Sequence, residues 1–205
     1  MIDLYAHYPE LKPIEGNIEK AKELLIDCYK QKGKVLCCGN GGSCADCEHI
    51  VGELMKGFLK KRPLSDTEAA KFTKFENGEH IAKTLQVGLP AISLPSQSAI
   101  LSAYNNDCDP ALIYAQLTYG YAKEGDLLIG ISTSGNSANV INAFEAAKVK
   151  GIKTIGMCGQ NPCKMDDICD VVIHAPSTET YRIQEYHLPI YHLLCAQVEE
   201  YFFEK

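Results

Sequence analysis

Two short segments, Gly39-Asn40-Gly41-Gly42-Ser43 and Ser132-Thr133-Ser134-Gly135-Asn136-Ser137, hold the residue types that bind an anion without a cationic side chain. Glycine lets backbone N–H groups approach a ligand closely, and the hydroxyls of Ser43, Ser132, Ser134 and Ser137 add neutral donors. Taken singly, each segment reads equally well as a tight turn with a capping serine. Neither matches a Walker A lysine loop or G-x-G-x-x-G, which disfavours a nucleotide. A second group of chemically able residues comprises His49 and Glu53, at i and i+4, with Gln184, Glu185, His187 and His192 near the C-terminus. Helical side chains at i and i+4 point the same way and can share a ligand, although most such pairs are ordinary surface pairs. The place of Glu53, on the helix that opens at the first loop, sets it apart.

Hydrophobic patterning supplies the elements that must position these groups. Ile18, Ala21, Leu24, Leu25 and Cys28 form one stripe of an amphipathic helix over about residues 17–32, with Gly33 as its stop. Five short apolar runs read as strands buried on both faces: Val35-Leu36-Cys37-Cys38, Pro90 to Leu94, Leu127 to Ile131, Lys153 to Met157, and Asp170 to Ile173. Ser43 is expected to cap a helix reaching about Phe58, with Cys47, Ile50, Val51 and Leu54 inward. Asp109-Pro110 opens another helix, Ser137 caps one that stops at Gly151, and a last helix runs from about Thr178 to Phe203 with Pro189 inside it. On an unbroken last helix, Glu185 and His192 project at similar angles, with Gln184 about 80° around. Residues 60–88 form a polar stretch with room for a short helix, and Lys60-Lys61-Arg62 reads as a solvated helix end with no assigned role.

Strands alternating with helices predict an α/β fold: a three-layer, doubly wound, five-stranded parallel sheet in the flavodoxin-like order 2-1-3-4-5, with an N-terminal helix. In that order strands one and three are neighbours at the topological switch point, where ligands bind beyond the strand ends. The two Ser/Gly loops end those strands, so the fold turns separate turns into one predicted phosphate cradle at two helix N-termini. The 205 residues suit one domain, 1–205, with 1–33 as a helical arm and 60–88 as an insertion that is a lid or a subunit contact.

A formal net charge of −6 gives no general attraction to nucleic acid or an anionic membrane, so neither is expected as a partner. No apolar run approaches the ~18 residues that span a bilayer, and Met1-Ile2-Asp3-Leu4-Tyr5 does not begin a secretory leader, so a cytoplasmic protein is expected. In that reducing setting the ten cysteines are expected to be free thiols. Cys37 and Cys38 lie in a strand, and Cys44, Cys47, Cys158 and Cys163 form no pair of C-x-x-C motifs with matching spacing.

Gly39-Asn40-Gly41-Gly42-Ser43 together with Gly130-Ile131-Ser132-Thr133-Ser134-Gly135-Asn136-Ser137 resembles the sugar isomerase (SIS) family over nearly the whole chain. Within it, His49-x-x-x-Glu53 and Arg182-Ile183-Gln184-Glu185 through His192 resemble the phosphoheptose isomerases. The resemblance implies an aldose–ketose isomerase that converts sedoheptulose 7-phosphate to glycero-manno-heptose 7-phosphate through an enediol(ate). It implies a substrate site in which Ser43, Ser132, Thr133, Ser134 and Ser137, with Gly41 and Gly42 in the first loop, hold the phosphate. Asn40, Asp107 and Gln184 would contact the sugar hydroxyls. Glu53 and His192 would be the acid/base pair, and zinc, or another divalent ion, would bind His49, Glu53, Gln184 and His192. A homotetramer with sites shared between subunits is implied as well. Two positions depart from the family pattern: Gly57, where an arginine is common, and Tyr181, where an aspartate precedes Arg182.

A ketose–aldose interconversion needs one group that carries a proton between neighbouring carbons and another that manages the oxygen protons. A carboxylate such as Glu53 suits the first role, and a histidine with a pKa of about 6.5 suits the second. The alternative is a non-catalytic regulator that binds a sugar phosphate on the same fold, against which the presence of both Glu53 and His192 argues. His187 reads equally as a core histidine or a ligand, and Arg182 equally as an ion-pair residue or a substrate contact.

Overall fold

The structure, a computed structural model, describes residues 2–203. A short helix α1 (Leu4–His7) leads into α2 (Glu15–Lys30), and the strands β1 (Val35–Gly39), β2 (Ala91–Ser93), β3 (Leu127–Ile131), β4 (Lys153–Gly159) and β5 (Val171–Ala175) follow. They pair in parallel in the order β2-β1-β3-β4-β5, as the alternation of elements predicts. Side chains alternate across the sheet. Val35 and Cys37 of β1 therefore join the core under α2, α3 (Gly42–Met55) and α10 (Thr180–Phe203), while Leu36 and Cys38 join the core under α7 (Ile113–Tyr121) and α8 (Ala138–Val149). Helices on both faces explain why the strands read as unbroken apolar runs. At Gly130 a Cβ would stand 2.3 Å from the Phe144 ring, so this glycine lets α8 lie close on β3.

Several local expectations change. The left-handed residue after α2 is Lys32 (φ 60°), not Gly33. Lys32 N–H donates to Tyr29 O at 3.0 Å and Gly33 N–H to Cys28 O at 2.9 Å, which closes a Schellman motif. Gly33 serves another need: its Cβ would lie 2.1 Å from the Gly125 carbonyl. Ser43 is not the cap of α3. Gly41 occupies that position with φ 57°, and Ser43 is buried within the first turn, so α3 starts earlier than a serine cap implies and ends at Met55 rather than Phe58. After β2 comes α6 (Ser98–Asp107), which hydrophobic patterning misses because none of its residues is buried. Asp109 does cap the turn before α7, accepting from Ala111 N–H at 2.9 Å.

Residues 60–88 hold α4 (Asp66–Ala70) and α5 (Gly78–Thr84), closed at the base by an isolated bridge between Pro63 and Gln86. The solvated end expected for Lys60-Lys61-Arg62 is corrected at Arg62, which is 0% exposed and paired with Glu199. All ten cysteines are free. α9 (Met165–Ile168) completes the helices. Among the described residues no helix is long and apolar enough to cross a membrane.

Candidate active site

The parallel register pairs Gly39 with Ile131, so the chain leaves β1 and β3 side by side and both Ser/Gly loops open on one edge of the sheet. In the first loop, Gly41 adopts φ 57° and ψ −121°, a conformation that a side chain would strain. Asn40 and Asn139 exchange two amide hydrogen bonds of 2.9 Å, which ties the first loop to α8. A Cβ on Gly42 would stand 2.4 Å from the Gln184 side-chain nitrogen, so Gln184 of α10 lies directly over the loop.

In the second loop the hydroxyl of Ser132, nearly buried, is 2.9 Å from that of Ser137 and 3.3 Å from that of Ser134. Ser137 occupies the N-cap position of α8, yet its hydroxyl faces Ser132 instead of capping the helix. Three hydroxyls therefore cluster at a helix N-terminus, a setting in which they donate to an anion beside the positive end of the helix dipole. Thr133 and Ser134 line a cleft of about 360 Å³ together with Gln160, Asn161, Ser177, Thr178 and Thr180. Those last five residues escape a reading of the sequence alone. Their signal is positional: they follow β4 and β5, at the same edge of the sheet as the loops. Asp107 is not brought to this edge by any described contact. It lies exposed at the end of α6, where its carboxylate accepts from the Asn106 amide at 2.8 Å.

Helices α3 and α10 bring a second cluster together. Glu53 Oε1 is 3.2 Å from His49 Nε2, and His49 Nε2 is 3.4 Å from His192 Nε2. The Tyr191 hydroxyl donates to Asp46 Oδ1 at 3.3 Å and stands 2.9 Å from His49 Nδ1. A hydroxyl has one proton; with that proton on Asp46, its oxygen accepts from His49 Nδ1–H. His49 Nε2 is then left with its lone pair directed at Glu53 and His192. The other Asp46 oxygen is buried without a partner, and burial raises the Asp46 pKa above the usual carboxylate value. Burial, followed by the neighbouring His49, lowers the His192 pKa from its ordinary value, and the Glu53 charge partly opposes this. The Phe58 ring packs on His192 with centroids 5.4 Å apart.

The other candidates on α10 resolve differently. His187 is buried, with Nε2 3.3 Å from the Cys158 carbonyl and a pKa pushed down to about 4 by burial, so it belongs to the core. Arg182 pairs with Glu185 at 2.7 Å and donates to the Tyr186 hydroxyl at 3.2 Å. Glu185 is thereby held in an ion pair on the exposed surface of α10 and makes no described contact with His192.

His49, Glu53 and His192 form a chain rather than a closed cage: among the described residues, no three His, Cys, Asp or Glu side chains gather around one point to hold a metal. Their donor chemistry nevertheless suits a divalent ion. Nitrogen and oxygen atoms face each other at 3.2 and 3.4 Å, where a proton or a cation must separate their lone pairs. Ligands of a tetrahedral zinc lie roughly 3.3 Å apart, given bonds of about 2.0–2.1 Å.

The fold is that of a SIS domain, and that family matches residues 10–87 and 75–159. The chain belongs to the SIS domain family. Within that family it is similar to the phosphoheptose isomerases. It is 40% identical over 186 residues to the phosphoheptose isomerase of a Nitratiruptor species, covering 91% of this chain and 87% of that one. Against the phosphoheptose isomerase of Aneurinibacillus thermoaerophilus it is 39% identical over 186 residues, 91% and 82% of the two chains. The solved phosphoheptose isomerase of Neisseria gonorrhoeae superposes with a TM-score of 0.70 at 30% identity, covering 95% of this chain and 96% of that one.

Proposed function

We propose that this aldose–ketose isomerase converts sedoheptulose 7-phosphate to glycero-manno-heptose 7-phosphate, with Glu53 and His192 as its acid/base pair. The observation that carries the reading is the meeting of α3 and α10: Glu53, His49 and His192 stand in line on the two helices that also form and cover the first phosphate loop. The hydroxyls of Ser43, Ser132, Ser134 and Ser137, with Thr133 and the backbone N–H groups of Gly41 and Gly42, take the phosphate. Asn40, Asp107 and Gln184 take sugar hydroxyls.

With the phosphate held, the Glu53 carboxylate removes a proton from C1 of the ketose and returns it to C2. His192, kept neutral by its lowered pKa, accepts and donates the proton that moves between O2 and O1. Zinc, or another divalent ion, bound by His49, Glu53, Gln184 and His192 would polarise the carbonyl. Ten residues of helix separate Ser43 from Glu53, a rise of roughly 15 Å. That length supports sites shared between subunits, so that a phosphate on one chain meets acid/base groups of another, and we take the assembly to be a homotetramer. Residues 1–205 form one SIS domain of a cytoplasmic enzyme, with 1–33 as its arm and 60–88 as a lid or subunit contact.

Glu53→Gln tests the assignment, because it keeps the shape and removes the base. Turnover is expected to fall about 10²- to 10⁴-fold while substrate affinity is kept. Wild-type turnover by this variant would sink the mechanism. Tight binding of sugar phosphates with no turnover by the unaltered protein would favour the regulator instead.

A further inference from the structure

Among the described residues, the most enclosed ion pair is Arg62 with Glu199, whose side chains are 0% and 1% exposed. Glu199 Oε1 accepts from Phe58 N–H and from Arg62 Nε, each at 2.8 Å, and Oε2 accepts from Leu59 N–H at 2.7 Å and Lys60 N–H at 2.9 Å. The carboxylate of α10 thus fills a nest of three successive backbone donors just beyond α3. Arg62 completes the junction from the other side. Its Nη1 donates to the Leu54 carbonyl at 2.6 Å, and its Nη2 to the carbonyl of Glu53 itself at 3.1 Å. Desolvation offsets most of the attraction in a buried pair, so stability is a weak reason to keep one.

The location suggests a different reason. Glu53 is the last residue but two of α3, where backbone carbonyls have no partner within the helix and the end is free to fray. Arg62 supplies partners for two of those carbonyls. Phe58, whose N–H is fixed by Glu199, lays its ring on His192. One buried junction therefore sets the backbone of Glu53, the packing of His192, and the spacing between the two helices that carry them.

We propose that Arg62 and Glu199 are positioning residues that hold Glu53 at working distance from His192. The inference rests on the acid/base roles given above. Neither residue touches substrate in this scheme, and the phosphate loops lie at the opposite end of α3. Loss of the junction is therefore expected to act on kcat and to spare KM.

Glu199→Gln and Arg62→Lys are compared with the unaltered protein in the presence of saturating zinc, well below the melting temperature of each variant, with the folded fraction measured by circular dichroism. The expected result is a kcat, per folded chain, lower by roughly 10- to 100-fold, since small misplacements of catalytic groups cost that much. KM should stay within about twofold. Arg62→Lys keeps a cation but reaches fewer carbonyls, and carries the test if Glu199→Gln does not fold. Activity that falls only in proportion to folded protein, in either variant, assigns the pair to stability alone and overturns the inference. Activity in Glu53→Gln would instead remove the underlying acid/base reading. A dead Glu53→Gln beside normal kcat in the junction variants would remove only the positioning role.

Discussion

Ser132 shows how much a single hydroxyl can organise. It touches both Ser134 and Ser137, so it orients the group as well as belonging to it. Ser132→Ala is expected to raise KM for the phosphosugar roughly 10- to 150-fold with little change in kcat, because a hydrogen bond to a charged group contributes about 1.5–3 kcal/mol and the phosphate does not react. Steady-state kinetics decide this, and an unchanged KM would place the phosphate elsewhere. These serines are legible in the sequence because each follows an apolar strand. Tyr191 is not: its partners Asp46 and His49 lie 145 and 142 residues away, and on its own it reads as one more core aromatic of α10. Tyr191→Phe removes the acceptor that fixes the His49 ring. Zinc affinity, measured by competition with a chelator, should fall about 10- to 100-fold, the usual effect of losing a group that orients a metal ligand. Equal affinity in the variant would refute the tautomer argument.

At the scale of elements, two helix ends make the same hydrogen bonds with different residues. α8 closes on Gly151 (φ 70°), and α2 closes on Lys32 (φ 60°). The end of α8 is legible because glycine marks it. The end of α2 is not, since the nearby Gly33 is required by the Gly125 carbonyl and not by the helix. A lysine in the left-handed region is strained, so Lys32→Gly is expected to stabilise the fold by about 1 kcal/mol. Urea unfolding measures this, and a loss of stability would show that the Lys32 side chain has a role beyond its backbone. α6 is illegible for a different reason: it buries no residue fully and rests on the core only through half-buried Leu101 and Tyr104, too short an apolar stripe to find. Arg62 is hidden by its neighbours Lys60 and Lys61, which make a buried partner of Glu199 look like part of a charged surface run.

For the whole molecule, the sheet order can be anticipated because a parallel strand requires a crossover, and the right-handed crossover admits few arrangements. That order alone places the two loops together. Hidden from the sequence is how α10 docks: it packs twelve buried residues against the sheet and its neighbours, His187 among them. The Nε2–H of His187 donates to the Cys158 carbonyl, and Nδ1 is buried with no partner. Protonating Nδ1 on the folded protein would create an unpaired buried donor, which is why its pKa falls to about 4 from 6.5. The unfolded chain then binds more protons than the folded one between those values, so stability rises with pH across that window. His187 accordingly opposes folding in acid: its titration contributes nothing above pH ~6.5, and roughly 3 kcal/mol of stability is lost as pH falls to about 4. His192, also lowered, acts in the same direction. His187→Gln keeps the donor and removes the titration, which isolates the effect. Urea unfolding between pH 7 and 4.5 should show a slope for the unaltered protein that is reduced in the variant; parallel slopes would mean that His187 is hydrated in solution and that α10 is less tightly docked than its packing indicates.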